Sequence, residues 1–273
     1  MKWTRSAAVY LVLVLGAVFT LGPFLLSGLT AVKTREQFAR EPVLAWPSPP
    51  TLHNILQLLT GRAEFGRAIL VTVLAAALIL IGQLICSILA AYAFARVDFP
   101  GRQVLFWVYL STLMIPPVVL VVPLYLMMTE AGLRNSFWSL VLPFVFASPY
   151  AIFLLREYFR GIPQELIDAA RLDGANTLDV LVEIVVPLSR PIIATLTLLT
   201  IVSHWNSFMW PLVVTSGSDW RVVTVATASL QSQFNGNWTL VMAATTLALV
   251  PLLVLFLIFQ RQFVRSITIT GIK

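Results

Sequence analysis

The stretch AILVTVLAAALILIGQLICSILAAYAFA, residues 68–95, decides the fold class of this chain. It contains no Asp, Glu, Lys or Arg. A helix that crosses the hydrocarbon core of a bilayer needs about 20 apolar residues. In lipid, a single segment can satisfy its own backbone hydrogen bonds only as a helix. The stretch therefore predicts a membrane-spanning helix.

Five other apolar runs are also long enough to cross a bilayer. The six runs are 7–30, 68–95, 104–129, 137–155, 191–215 and 239–259. The alternating segments of about ten residues that mark a membrane β-barrel are absent from the sequence. We predict an all-α polytopic membrane protein with six transmembrane helices, forming one domain over residues 1–273. Prolines inside several runs predict kinked or broken spans.

Composition excludes several classes of function. Of the 273 residues, 59% are hydrophobic and 11% are charged, whereas a soluble domain has about 25% charged residues. The basic residues flank the apolar runs rather than clustering, so the net charge of +6 does not predict nucleic-acid binding. Cys86 is the only cysteine, which excludes an internal disulfide. His53 and His204 lack ligands at metal-binding spacing, and we expect no metal site.

The two ends of the chain are predicted to lie on the cytoplasmic side of the membrane. Run 7–30 could instead be a signal peptide, but the apolar core of such a peptide has only about 7–15 residues. With the amino terminus inside, 11 Lys and Arg residues lie on the inner side and 7 on the outer side. This bias is modest but has the expected sign.

The longest outer loop is predicted to be 31–67. It contains Pro42 and the sequence Trp46-Pro47-Ser48-Pro49-Pro50, which favours extended, irregular backbone. The loop could be a simple connector or a docking surface for an external partner, and the sequence slightly favours the connector.

The longest polar interruption on the inner side is 156–190. A short helix is expected to begin at Pro163, with Glu165 and Asp168 near its positive end, and to stop at Gly174. One face at helical spacing consists of Ile162, Leu166, Ala169 and Ala170. The adjacent alanines make this face flat, so that another surface could approach it closely.

A second short helix is expected to follow, capped by Asn176 with Asp179 in its first turn. Its apolar stripe at helical spacing consists of Leu178, Leu181, Val182 and Val185. Two such helices would form a compact knob. A membrane-surface helix is the alternative, but such helices are rich in Lys and Arg. Because the segment from Gln164 to Asp173 is acidic apart from Arg171, a protein groove is the better partner.

At these residues the sequence resembles the EAA loop of bacterial ABC importer permeases, whose pattern is Glu-Ala-Ala, three residues, Gly, nine residues, Ile, two residues, Pro. The matching residues are Asp168, Ala169, Ala170, Gly174, Ile184 and Pro187. The departure is Asp168 in place of Glu, which keeps the charge and shortens the side chain. Further segments resemble the MalG-type permeases of carbohydrate importers. They are Thr51-Leu52-His53-Asn54, Asp173-Gly174-Ala175, Trp205-Asn206, Pro211-Leu212 and Thr270-Gly271-Ile272-Lys273.

The resemblance implies that the knob is a coupling helix seated on a separate ATP-hydrolysing subunit. The predicted coupling residues are Glu165, Asp168, Ala169, Ala170, Arg171, Asp173 and Gly174. The resemblance also implies a non-catalytic subunit of a bacterial inner membrane complex that binds no cofactor itself, with ATP and Mg²⁺ on the partner ATPase dimer. The other implied partners are a second, MalF-like permease, an extracytoplasmic solute-binding protein and membrane lipid.

The predicted substrate path lies in the fifth span, where polar and aromatic residues interrupt apolar sequence. Its residues are Ser203, His204, Trp205, Asn206 and Ser207. Polar groups inside a span face a cavity or another helix. Aromatic rings and amides would suit a sugar, whereas hydrogen bonding between helices is an equally good interpretation. Gln83, Thr195, Thr197 and Thr200 are weaker candidates.

Rival functions remain open at this point. The chain has no G-x-x-x-x-G-K-[ST] phosphate loop, which argues against ATP hydrolysis by the chain itself. A stand-alone secondary transporter would need ionisable residues within its spans, and the six runs are nearly free of them. A nearer alternative keeps the importer and changes the cargo from a sugar to a glycerophosphodiester, glycerol phosphate, amino acid or peptide.

Overall fold

The chain is helical wherever it has regular secondary structure. The computed structural model describes residues 2–61, 64–233 and 237–269, and no β-strand occurs within those ranges. The helices are α1 (Lys2–Ala31), α2 (Arg35–Arg40), α3 (His53–Thr60), α4 (Phe65–Arg96), α5 (Arg102–Ser111), α6 (Val121–Glu130), α7 (Phe137–Val141), α8 (Pro149–Arg160), α9 (Gln164–Leu172), α10 (Thr177–Leu188), α11 (Arg190–Trp205), α12 (Met209–Val214), α13 (Val223–Gln233) and α14 (Trp238–Ile269). The all-α prediction is confirmed.

Three helices are each long and apolar enough to cross a bilayer. They are α1 through Val9–Ala31, α4 over its full length, and α14 through Trp238–Ile258. Two bent pairs also qualify if each pair is taken as one span. Arg102–Met114 meets Pro117–Glu130 at 93°, and α10 meets α11 at 78°. The described part of the chain therefore has three to five candidate spans, which overlap five of the six predicted runs.

Six continuous spans are not confirmed, because run 137–155 does not form one helix. Helix α7 ends at Val141 and α8 begins at Pro149, which leaves the segment 142–148 between them. Pro143 and Pro149 lack a backbone N–H, and a residue before proline is disfavoured in helical conformation. The prolines that were expected to kink this run therefore divide it into two short helices.

The other proline-containing runs behave differently from one another. Run 104–129 bends at Pro116 and Pro117, as expected for consecutive prolines. Run 191–215 is divided between α11 and α12, although Pro211 lies inside α12. Pro251 lies inside α14, which continues past it. Proline position alone therefore does not decide where a span is broken.

The chain divides into two compact units, and the first consists of Met1–Ile69 with Val223–Leu252. In this unit α1 pairs with α14, since the Ser27 hydroxyl donates to the carbonyl of Met242 over 3.2 Å. The predicted outer loop is more ordered than expected, because α2 and α3 form within it. Its proline-rich part, 41–52, is irregular as predicted.

A buried lysine organises this loop. Lys33 is fully buried, and its ammonium donates to the carbonyls of Pro42 and Val43 over 3.3 and 3.0 Å. The buried Asn54 amide donates to the carbonyls of Ala31 and Lys33, each over 2.8 Å. These hydrogen bonds therefore hold the loop against the end of α1.

The second unit consists of Leu70–Val222 with Leu253–Lys273. Its hydrophobic core joins α4, α5, α8, α9, α10 and α11 through fully buried side chains. The largest of these are Leu155, Phe159, Ile167, Val180, Val185 and Leu196. Because the core includes residues of the 156–190 segment, that segment has a packed base and is part of the folded unit.

The break at 142–148 is held by polar side chains of neighbouring helices. The Gln83 amide donates to the carbonyl of Phe144 over 3.4 Å, and the Ser87 hydroxyl accepts from the N–H of Ser148 over 3.1 Å. The Tyr109 hydroxyl donates to the carbonyl of Ala147 over 2.6 Å. These bonds give partners to backbone groups in the segment where the helix is interrupted.

Gly82 brings α4 close to the break, and its replacement by Ala is expected to lower the melting temperature of the purified protein. A Cβ on Gly82 would lie 2.5 Å from the carbonyl oxygen of Val145. Overpacking of this kind costs about 1–3 kcal/mol. Gly66→Ala in the same helix is the control, because its Cβ would lie 3.6 Å from the carbonyl oxygen of Leu59. Equal melting temperatures for the two variants would contradict close packing at Gly82.

Candidate coupling and substrate-path sites

The predicted short helix in 156–190 is confirmed as α9, which follows Pro163 directly. Its end is a Schellman motif built on Gly174, whose φ is +90°. The N–H of Ala175 donates to the carbonyl of Ala170 over 2.9 Å, and the N–H of Gly174 donates to that of Arg171 over 3.1 Å. The sequence therefore predicted both the stop and its cause correctly.

The buried face of α9 differs from the predicted one. Ile167 is 1% exposed and is the deepest side chain of the helix, with Ala170 and Ile162 packed on the same core. Leu166, expected on this face, is 46% exposed, and Ala169 is exposed as well. The face that contains Ile167 is buried because it continues the hydrophobic core formed by α8 and α10.

The outward surface of α9 combines carboxylates with apolar side chains. Of the predicted coupling residues, those exposed are Glu165, Asp168, Ala169, Arg171, Asp173 and Gly174. Leu172 adds an apolar side chain that is 89% exposed. The structure thus brings six of the seven predicted residues to the surface and turns Ala170 inward.

The second helix, α10, begins as predicted. The Asn176 side chain accepts from the N–H groups of Leu178 and Asp179, and the Asp179 carboxylate accepts from the N–H of Asn176 over 2.9 Å. This reciprocal pair is a capping box. It fixes the direction in which the chain leaves the turn after Gly174.

The predicted apolar stripe of α10 is wrong in half of its residues. Leu181 and Val185 are buried, but Leu178 and Val182 are exposed. The middle of the helix, Val180–Val185, is π-helical, and its hydrogen bonds join residues i and i+5. The wider turn changes which side chains share a face, so a spacing of 3.6 residues misplaces the stripe.

Arg96, the last residue of α4, contacts the start of α9. The sequence predicts for it only a position at the end of an apolar run. Its guanidinium donates to the Gln164 side chain over 2.6 Å, to the carbonyl of Phe159 over 2.5 Å, and to the carbonyl of Ile162. Gln164 in turn donates to the Asp168 carboxylate over 3.0 Å. The predicted coupling carboxylate is therefore connected to α4 through two side chains.

The predicted substrate-path residues do not share one environment. Ser203 and Asn206 are exposed, Trp205 is buried, and His204 and Ser207 are half-buried. The Asn206 amide donates over 2.9 Å to a carbonyl of its own helix. Trp205 is 4% exposed, so in this conformation its indole offers no open face for stacking on a sugar.

His204 and Ser207 line a small cavity with Phe144 and Trp210. The His204 ring lies 5.4 Å from the Phe144 ring, and the Trp210 indole donates to the carbonyl of Ser139 over 3.0 Å. The cavity measures about 20 Å³, which is room for about one water molecule. A sugar does not fit there in this conformation.

The weaker candidates divide between helix pairing and local bonds. The Thr200 hydroxyl donates to the Gln83 side chain over 3.0 Å, which links α11 to α4. Thr195 and Thr197 donate to carbonyls four residues earlier in their own helix. For Gln83 and Thr200, the hydrogen-bonding interpretation is the one that the geometry supports.

Comparison with solved structures identifies the fold. The chain superposes on a bacterial ABC transporter involved in the import of the acidic polysaccharide alginate, with a TM-score of 0.82 and 22% identity, covering 96% of this chain and 98% of that one. A second structure of a bacterial alginate ABC transporter, in complex with an alginate pentasaccharide-bound periplasmic protein, gives a TM-score of 0.67 at 17% identity and covers 94% of this chain and 92% of that one. At this identity the likeness concerns the fold.

Sequence comparison identifies the family. Residues 83–269 match the family described as "Binding-protein-dependent transport system inner membrane component". An arabinooligosaccharides transport system permease protein of Halalkalibacterium halodurans is 34% identical over 83% of this chain and 81% of its own length. An sn-glycerol-3-phosphate transport system permease protein of Yersinia pestis is 32% identical over 94% of each chain. The chain therefore belongs to this family of inner membrane components and is a permease subunit of an ABC importer.

Proposed function

We propose that this permease imports a sugar or sugar derivative and that α9 is its coupling helix, seated in a groove of a separate ATP-hydrolysing subunit. The observation that carries the proposal is the outward surface of α9, with its spacing of Asp168, Ala169 and Gly174 on a buried base. ATP and Mg²⁺ would bind to a dimer of that partner. This chain would contribute movement and no catalytic group.

The chemistry of the α9 surface favours a protein partner over lipid. Glu165, Asp168 and Asp173 are exposed on it, and an anionic membrane surface repels such a helix. The 89% exposed side chain of Leu172 gains stability only when another surface covers it. A groove with basic rims and an apolar floor would complement both features.

The proposed topology keeps six crossings in an inner membrane with both termini in the cytoplasm. The fourth crossing would be composite, running through α7, the segment 142–148 and α8. A seat on an ATPase requires 156–190 to be cytoplasmic, and this agrees with the distribution of 11 inner and 7 outer basic residues. The amino-terminal α1 then enters the membrane from the inside.

The proposed outer partner is a solute-binding protein that contacts the segment 31–67. This segment is held in shape by Lys33 and Asn54, and it presents Leu44 and Trp46 to the outside. The alginate transporter structure with a periplasmic protein supports such a partner by analogy. A second, MalF-like permease would cover the exposed apolar faces of the spans.

The proposed cargo class comes from the relatives rather than from a cavity in this chain. Their names specify arabinooligosaccharides and sn-glycerol-3-phosphate, and the similar structure belongs to an alginate importer. These share a polyhydroxylated carbon chain. Asn206 and Ser203, which are exposed in span five, would face this cargo once the second permease completes the path.

The direct test is co-expression of the chain with a second permease, an ATPase and a solute-binding protein from the same organism, followed by purification and reconstitution into liposomes. We expect a complex with one copy of each permease and two ATPase subunits, and uptake that requires ATP and the binding protein. A ligand screen on the binding protein would distinguish a sugar from glycerol phosphate, amino acids and peptides. Isolation as a homo-oligomer with ion-driven uptake would contradict the proposal.

Gly174→Val is expected to reduce transport per ATP hydrolysed in that system. No atom lies within 4 Å of a Cβ at Gly174, so the effect would come from backbone strain at φ +90° and not from a clash within this chain. Such strain costs about 1–3 kcal/mol. Gly174→Asn is the matched variant, since asparagine tolerates this conformation better. Equal coupling in the two variants would contradict a role for the Schellman geometry.

A further inference from the structure

The inner end of α4 is fastened to the start of α9 by Arg96. The guanidinium donates to three acceptors. They are the carbonyl of Phe159 in the last turn of α8, the carbonyl of Ile162 just after α8, and the side chain of Gln164 in the first turn of α9. A guanidinium presents several N–H donors in a rigid plane. One side chain thus fixes the α8–α9 corner to the long span α4.

The oxygen atoms that accept hydrogen bonds from Arg96 carry partial negative charge, which favours a cationic partner. Carbonyls at the end of α8 carry the negative partial charge of a helix carboxyl terminus, and a positive side chain stabilises them. The Gln164 oxygen faces Arg96 while its amide donates to Asp168 over 3.0 Å. Gln164 is therefore oriented by Arg96 and in turn orients the exposed carboxylate of α9.

Neighbouring arginines do not make this connection. Arg156 is buried, lies 4.1 Å from the centre of the Phe106 ring and pairs with Glu157 over 2.5 Å. It also donates to the carbonyl of Phe94 and to the side chain of Gln103, each over 3.4 Å, so it joins α8 to α4 and α5 but not to α9. Arg102 bonds the carbonyl of Val97 and the carboxylate of Asp98 over 2.9 and 2.8 Å, within the turn before its own helix. Their recorded partners lie outside α9.

We infer that Arg96 is a positioning residue for coupling: it passes displacement of α9 to α4 and sets the direction of the Asp168 carboxylate. This inference rests on the proposed coupling role of α9. The span α4 also carries Gln83 and Ser87, whose bonds hold the break at 142–148. Movement at α9 would therefore reach the broken crossing through α4 as well as through α8.

The test measures the ratio of cargo imported to ATP hydrolysed in reconstituted complexes of the full chain. We expect Arg96→Ala and Gln164→Ala to assemble with the ATPase and to hydrolyse ATP. The transport ratio should fall about tenfold in Gln164→Ala, which loses one charge-assisted hydrogen bond to Arg96. It should fall further in Arg96→Ala, which loses three bonds. Arg96→Lys should give an intermediate ratio, since an ammonium keeps the charge and loses the planar fork.

Arg102→Ala is the matched control, because it removes an arginine six residues away whose guanidinium bonds to Val97 and Asp98, outside α9. Its transport ratio should equal that of the unmodified complex. If Arg96→Ala fails to assemble, Gln164→Ala still decides the matter, because Gln164 is exposed. An unchanged ratio in Gln164→Ala and Arg96→Lys would overturn the inference. Absence of ATP-driven uptake in the unmodified complex would overturn the proposed function instead.

Discussion

Backbone hydrogen bonding inside a bilayer is the constraint on which the rest of this structure depends. Lipid offers no partners for a free N–H or carbonyl group, so each crossing segment must be helical or must find partners in the protein. Helices α1, α4 and α14 meet this condition within themselves. In the proposed topology, the segment 142–148 meets it through Gln83, Ser87 and Tyr109.

The same constraint explains where the chain can carry function. A continuous helix leaves no backbone group free and exposes mainly apolar side chains, whereas a supported break creates a joint between two short helices. Here that joint lies between α7 and α8, and α8 continues directly into the corner that bears α9. The interrupted run 137–155 and the exposed acidic helix are therefore consecutive parts of one packed unit.

The lengths of the apolar runs and the residues at helix ends allowed much of the fold to be predicted. Long uncharged runs predicted α1, α4 and α14. Gly174 predicted where α9 stops, and Asn176 predicted where α10 begins. These features are local, so sequence spacing is sufficient. The resemblance to ABC importer permeases, which relied on Asp168 to Pro187 and on scattered segments, agrees with the family match over residues 83–269. Its carboxyl-terminal segment, 270–273, lies outside the described residues.

Features set by long-range packing could not be predicted in the same way. The stripes through Leu166 and through Ile167 are both possible on α9, and only the core of α8 and α10 selects Ile167. The π-helical turn in α10 shifts the buried face by less than one residue per turn. The spacing of apolar residues in the sequence does not reveal so small a shift. Arg96 lies 68 positions before Gln164, and nothing in the sequence distinguishes it from other basic residues at the ends of spans.

The most direct test of the central claim is disulfide or bifunctional cross-linking between α9 and the ATPase subunit. Cys86 is the only native cysteine, so Cys86→Ser provides the background for Ala169→Cys and, as a control, Trp46→Cys on the opposite predicted side. The account predicts that Ala169→Cys yields a permease–ATPase product whose formation changes when ATP is added, and that Trp46→Cys yields none. Cross-linking of Ala169→Cys to lipid reagents or to the solute-binding protein, without an ATPase product, would contradict it.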